Sequence, residues 1–337
     1  MSTLLLIHGR DQASPPEVAA DPDRLAAYVE SRKRQWLAGL ARGLIAARLQ
    51  PVTDAVFPFY GNDFADRIRQ YEAAGGRRPD LELGAVPDDQ RHEQESALLQ
   101  TKAAALNDLL RRLDFDPARE LSYADPALAE KAAQDQVNAA EELSWDDALK
   151  IPVLRAGLQF LARKTGVPAF VIEEFLTDVA YYLKLEDMRE LVLAIVQKSL
   201  QEALPDGGSV VIVGHSLGSV VAYDLLAELD GKYRVEQFVT AGSPLGFPIV
   251  EKNLRGHVLG QKPPVPATVP GRPGGWVNAF DVRDVVALMH PLAPDYAAAV
   301  ERQLDDQQTF NASYPHSIAD YLSDPDTAGP IGQALRT

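Results

Sequence analysis

Apolar residues follow one another along this chain in two rhythms: short unbroken runs, and longer stretches in which they recur every three or four positions. Thr3 to Ile7 is a run that stops abruptly at His8-Gly9, the pattern of a strand buried on both faces. Pro22 to Gln50 places Leu25, Tyr28, Val29, Trp36, Leu37, Leu40, Leu44 and Leu49 at mostly helical spacing and predicts an amphipathic helix. Val52 to Tyr60, rich in Val and Phe, predicts a second strand, shortened by Pro58 and ended by Gly61-Asn62-Asp63. From there to about residue 204 no strand pattern stands out, whereas Glu95 to Leu113, Pro126 to Leu143, Pro168 to Leu185 and Glu186 to Leu204 read as helices. Ser209 to Val213 is the strongest strand signal, followed by a helix from Leu217 to Leu229 and by strands at Val235 to Thr240 and Trp276 to Phe280.

Strands alternating with helices predict an α/β fold: a mostly parallel sheet with helices on both faces. The sheet is expected from residues 1–60 and 205–337, with 61–204 a large helical insertion that could lie as a cap over the site. Glu186 to Leu204 leads directly into a strand and is read as a crossover helix. Residues 262–275 form a Pro/Gly-rich loop.

Composition narrows the function. The chain has 337 residues, 46% of them hydrophobic, enough for a sizeable core, so disorder is excluded. A net charge of −15 repels phosphate backbones, and Arg32-Lys33-Arg34 lies inside the first helix as a solvated face, so nucleic acid is not expected as a partner. With no cysteine there is no disulfide, thiolate metal site or cysteine nucleophile. The six histidines are scattered without an H-x-x-x-H pair, and neither nucleotide-binding glycine motif occurs, so no metal or cofactor is expected. The first apolar run is too short for a signal peptide, and no stretch reaches about 18 uncharged apolar residues. A cytoplasmic protein without a transmembrane segment is expected.

The chemistry centres on Gly214-His215-Ser216-Leu217-Gly218, a G-x-S-x-G pattern between a β-branched strand and a helix. Reversing a strand into a helix at one serine needs unusual dihedrals, and flanking glycines remove the Cβ atoms that would block the turn. The Leu217 amide, at the positive end of the following helix, is placed to stabilise an oxyanion. A serine hydroxyl needs an imidazole base oriented by a carboxylate, and an elbow of this kind takes both from later in the chain, acid first. Among His257, His290 and His316, the last fits that order, in the turn-like Ser313-Tyr314-Pro315-His316-Ser317. Asp284 and Asp281 both follow the strand Trp276 to Phe280; Asp284 is the preferred acid, and the other would cap a turn or pair with Arg283. The turn His8-Gly9-Arg10-Asp11 offers the Arg10 amide as the second oxyanion donor, with His8 as its structural brace. His215 is read as a packing residue.

These residues resemble the α/β-hydrolase superfamily and, within it, its lipase and serine-esterase-like members. The likeness rests on Leu5-Leu6-Ile7-His8-Gly9, on Val213 to Gly218, on Thr240-Ala241-Gly242-Ser243-Pro244-Leu245-Gly246, and on Val277-Asn278 leading to Asp284-Val285-Val286. The resemblance implies a triad of Ser216, Asp284 and His316, since an aspartate directly before such a Val-Val pair is the triad acid in similar sequences. It covers the first 60 residues and 205–325 but not the insertion. The chain lacks the His-Gly-Gly-Gly run of many lipases. The implied activity is hydrolysis of a small-molecule or lipid-like carboxylic ester through an acyl-enzyme. A thioesterase, peptidase or acyltransferase using the same triad stands as an alternative, as does a non-catalytic binding or scaffold protein.

Overall fold

A computed structural model describes residues 2–9, 13–76, 91–116 and 150–336. The helix expected from Pro126 to Leu143, and Arg10, lie outside the described residues. The fold is α/β. Five strands, β1 (Thr3–Ile7), β2 (Gly208–His215), β3 (Tyr233–Ala241), β4 (Trp276–Phe280) and β5 (Leu304–Gln308), form one parallel sheet in that order.

Contacts divide the chain into two compact units, Met1–Ile68 with Glu186–Thr337, and Arg69–Leu185. In the first, alternation along the strands sends Leu4, Leu6, Val211, Val213, Val239 and Val277 to one face of the sheet. They pack there against Trp36, Leu37, Leu40 and Leu44 of helix α2 (Pro22–Ala46), and against Ala328 and Ile331 of the C-terminal helix Pro325–Ala334. Asp21 caps α2 by accepting the Asp23 and Arg24 amides, with Pro22 at the first helical position. Only the second half of the α2 stripe enters this core. Leu25 and Val29 instead line an open groove of about 510 Å³ with Phe57 and Phe59.

The other face of β1 and β2 carries Leu5, Ile7, Val210 and Ile212, all buried. Helices Glu186–Ala203 and Leu217–Glu228 pack on these strands and on each other. The latter helix is buried through its first ten residues, and the one charge among those ten, Asp224, is held by Arg189 Nε at 2.8 Å. In the second unit, helices Arg91–Arg112, Lys150–Thr165 and Ala169–Lys184 pack mutually around Leu106, Leu109, Leu161 and Leu176. Among the described residues no helix is long and apolar enough to cross a membrane.

Two expectations need correction. Val52 to Tyr60 is not a strand: Val56 alone bridges β1, through Leu6 N–H to Val56 O (2.9 Å) and Val56 N–H to Leu4 O (2.8 Å). Pro51 and Pro58 bracket that bridge and have no N–H to extend it. Nor is Trp276–Phe280 the last strand. β5, with the sequence Leu-Asp-Asp-Gln-Gln, follows it and shows no apolar pattern at all. Side chains hold it: Asn278 Nδ2 donates to Asp306 Oδ1 (2.7 Å), Thr240 Oγ1 donates to Asn278 Oδ1 (2.9 Å), and Trp276 Nε1 donates to Thr240 Oγ1 (2.9 Å).

The bridge also marks a reversal in the order of pairing along β1. After β1 the chain pairs first on one edge of that strand, at Val56, and then on the other, with β2. In parallel sheets a crevice opens outside the carboxyl ends of the strands where the order reverses. Here those ends are His8-Gly9 and His215-Ser216.

Candidate active site

Ser216 occupies the junction between β2 and the helix Leu217–Glu228 with φ 55° and ψ −133°. A positive φ costs a residue with a Cβ on the order of 1–3 kcal/mol, a strain held here by the flanking elements. Ser216 N–H donates to Ala241 O (3.1 Å) and Ser216 O accepts from Ser219 N–H (2.9 Å). Gly218 must be glycine, since a Cβ there would run into the carbonyl oxygens of Ile7 and His8. This close approach sets the new helix directly against the end of β1. Leu217 is its first residue, where an α-helix leaves the N–H without an internal acceptor. Gly9 lies directly against Ser216. Ser216 Oγ is buried without a hydrogen-bond partner among the described residues, and the residue is 2% exposed.

The structure brings Asp284 and His316 together. Asp284 follows β4, is fully buried, and its Oδ2 lies 2.7 Å from His316 Nδ1. Its Oδ1 accepts Val286 N–H at 2.9 Å, capping the short 3-10 turn Val285–Ala287. Tyr321, in the four-residue helix Ile318–Tyr321, donates to the same Oδ2 at 2.8 Å. The Asp284 carboxyl thus meets two donors besides the imidazole, the Val286 amide on Oδ1 and the Tyr321 hydroxyl on Oδ2. A carboxylate accepts only, so His316 presents Nδ1–H to it and keeps the lone pair on Nε2.

Asp281, three residues earlier, is engaged elsewhere. Its Oδ1 accepts Arg283 N–H (2.9 Å) and Nε (3.0 Å), and its Oδ2 accepts Arg283 Nη2 (2.5 Å) and Asn311 N–H (2.7 Å). Burial alone would raise this carboxyl, but these hydrogen bonds outweigh it and hold the pKa below the usual value. Asn311 in turn donates from Nδ2 to Pro315 O (2.5 Å), so Asp281 steadies the loop that carries His316.

The remaining histidines take other places. His290 stacks on Phe280 with centroids 4.1 Å apart. His257 buries Nδ1 without a hydrogen-bond partner among the described residues. His215 lies with its ring 4.5 Å from that of His316 and edge-on to Trp36, and burial, with His316 as a lesser cause, pushes its pKa well below 6.5. His8 is enclosed by Phe57, Phe59 and Tyr60, its Nδ1 2.8 Å from Gly9 O and its Nε2 accepting Tyr60 N–H at 3.3 Å. Burial lowers its pKa to about 4, against the opposing pull of the Gly9 carbonyl.

No family model, curated protein or solved structure matches this chain.

Three contributors escaped sequence reasoning. Tyr321 and Asn311 reach the site through contacts across 37 and 30 residues, which no local pattern encodes. Gly242 did carry a signal, as the glycine of Thr-Ala-Gly-Ser-Pro after a strand. Its φ is 55°, and a Cβ would lie 2.8 Å from Asp284 Oδ2 and 3.0 Å from His316 Nδ1, so only glycine leaves room for the pair. Among the described residues no group of three His, Cys, Asp or Glu is placed to hold a metal.

Proposed function

We propose that this protein is a serine hydrolase of the α/β-hydrolase type that cleaves carboxylic esters. The observation that carries the reading is the joint placement of Ser216 on a positive-φ strand-to-helix turn after β2 and of the Asp284–His316 pair on the loops after β4 and β5 of the same sheet. In this mechanism Ser216 Oγ attacks the acyl carbon while its proton passes to His316 Nε2. The Leu217 amide, with that of Arg10 as second donor, takes the charge of the tetrahedral oxyanion. His316 returns the proton to the departing alcohol, leaving an acyl-Ser216 ester. Water then attacks, giving up a proton to His316, and the acid leaves as Ser216 regains its hydrogen. No cofactor enters, and a thioester, amide or acyl-acceptor alcohol is accommodated by the same steps.

The unpartnered, buried Ser216 Oγ favours a second reading, a binding or scaffold protein on the same fold. Serine hydroxyl and base are often apart before substrate binds, so the geometry alone leaves the first reading in front. A fluorophosphonate probe decides between them. Labelling located at Ser216 by mass spectrometry, abolished in Ser216→Ala and slowed about 10³-fold or more in His316→Ala, is the expected result. Wild-type protein inert at every probe concentration and pH would put the scaffold reading first.

A further inference from the structure

We infer that Tyr321 is a positioning residue that sets how readily His316 takes a proton, acting through Asp284. The inference rests on the hydrolase reading only in that His316 is there the base.

One short segment delivers both donors. The helix Ile318–Tyr321 starts at Ser317, directly after His316, and its last residue turns its hydroxyl onto the oxygen that the imidazole uses, with Nδ1 at 2.7 Å and the phenol at 2.8 Å from Asp284 Oδ2. The direction of the phenol's hydrogen bond is fixed. Its oxygen accepts Asp281 N–H at 3.0 Å, and a backbone amide can only donate, so the single phenolic proton goes to Asp284. Tyr321 is fully buried, and burial followed by the Asp284 charge raises its pKa well above 10, so the donor persists across the working pH range. The negative charge on Oδ2 is thereby shared. Each additional donor on a carboxylate oxygen lessens its attraction for the imidazolium, so the phenol keeps His316 a readier proton donor in the second half of each step.

The neighbourhood lets this effect be read cleanly. The titratable groups facing the pair are His215, Tyr314, Asp281 and Arg283. His215 and Asp281 are shifted down, and Tyr314 and Arg283 up, so none changes charge between about pH 6 and 9.

The test compares wild type, Tyr321→Phe, and protein with a ring-fluorinated tyrosine at position 321, which keeps the shape and strengthens the donor. Two readouts are followed against pH: the rate of fluorophosphonate labelling at Ser216, and the NMR titration of His316 Cε1–H. Removing the hydroxyl is expected to move both midpoints up by about half to one pH unit, and fluorination to move both down. A purely structural tyrosine would lower the melting temperature in the phenylalanine variant and leave both midpoints in place, which overturns the inference. Should the phenylalanine variant not fold, the fluorinated protein decides alone: a downward shift supports the inference and an unmoved midpoint overturns it. Should wild type never be labelled, the hydrolase reading fails separately. The NMR midpoints then still decide the Asp284-mediated link, supported by opposite shifts and overturned by none.

Discussion

Two histidines sit at the carboxyl edge of the same sheet, one after β1 and one after β5, and they are held in opposite ways. His8 has both ring nitrogens occupied, by Gly9 O and Tyr60 N–H, is fully buried, and has its charged form suppressed by that burial. His316 has Nδ1 held by a buried carboxylate and its side chain 21% exposed. A histidine with every lone pair and proton spoken for can only brace a turn. One anchored at a single nitrogen, beside a strained serine turn, has a lone pair left to move a proton. The partners decide the role, and the residue type does not.

The contrast is sharpest at the two aspartates of the β4 loop. Asp284→Asn is expected to slow fluorophosphonate labelling at Ser216 by about 10³-fold or more, because an amide can present its NH₂ to His316 and reverse the tautomer. Circular dichroism and labelling kinetics on the same sample would show whether the loss is chemical. Labelling at the wild-type rate would remove Asp284 from the site. His8→Ala should do the reverse. It leaves Tyr60 N–H and Gly9 O without partners and opens a void among three aromatic rings, at a cost of about 2–4 kcal/mol in urea denaturation. Labelling of the folded fraction should stay within about tenfold of wild type. A stable variant that cannot be labelled would reverse the two roles.

The pH dependence of stability separates the turns again. The folded-state pKa of His8, about 4, lies below the unfolded value of 6.5, so the unfolded chain binds the extra proton. Stability from this group is therefore complete above pH 6.5 and is lost as the pH falls toward 4, by about 3 kcal/mol in all. Denaturation midpoints across that window should fall less steeply in His8→Gln, which cannot charge. Equal slopes would mean that His8 already binds its proton in the fold.

The smallest effect belongs to Asp281→Asn. It weakens the hold on Arg283 and Asn311 and should cost about 1–2 kcal/mol while labelling changes only a few-fold. A loss as large as that of Asp284→Asn would show that the loop carrying His316 depends on Asp281 for its catalytic geometry.

Much of the frame was readable along the chain. β1 to β4 are apolar runs between turns, and the helices that cover them have regular stripes, because burial on two faces or on one leaves a periodic trace. The Ser216 turn was readable too, since only glycines tolerate its close approaches. β5 was not, being a polar edge strand secured by Asn278 and Asp306 rather than by apolar burial. Val52 to Tyr60 misled because Val and Phe signal a strand while the prolines around Val56 permit only one bridge.

Sequence by itself determined the α/β alternation, the strained serine, and a short roster of acids and histidines that follow it along the chain. Tertiary structure decided among them: Asp284 rather than Asp281 beside His316, His8 closed on both sides, Tyr321 on the shared oxygen, Gly242 clearing the space. Apolar burial repeats with the backbone's own period and so is written locally. A hydrogen bond between side chains 30 or more residues apart is set by where the folded sheet brings their loops, and nothing in either local segment records it.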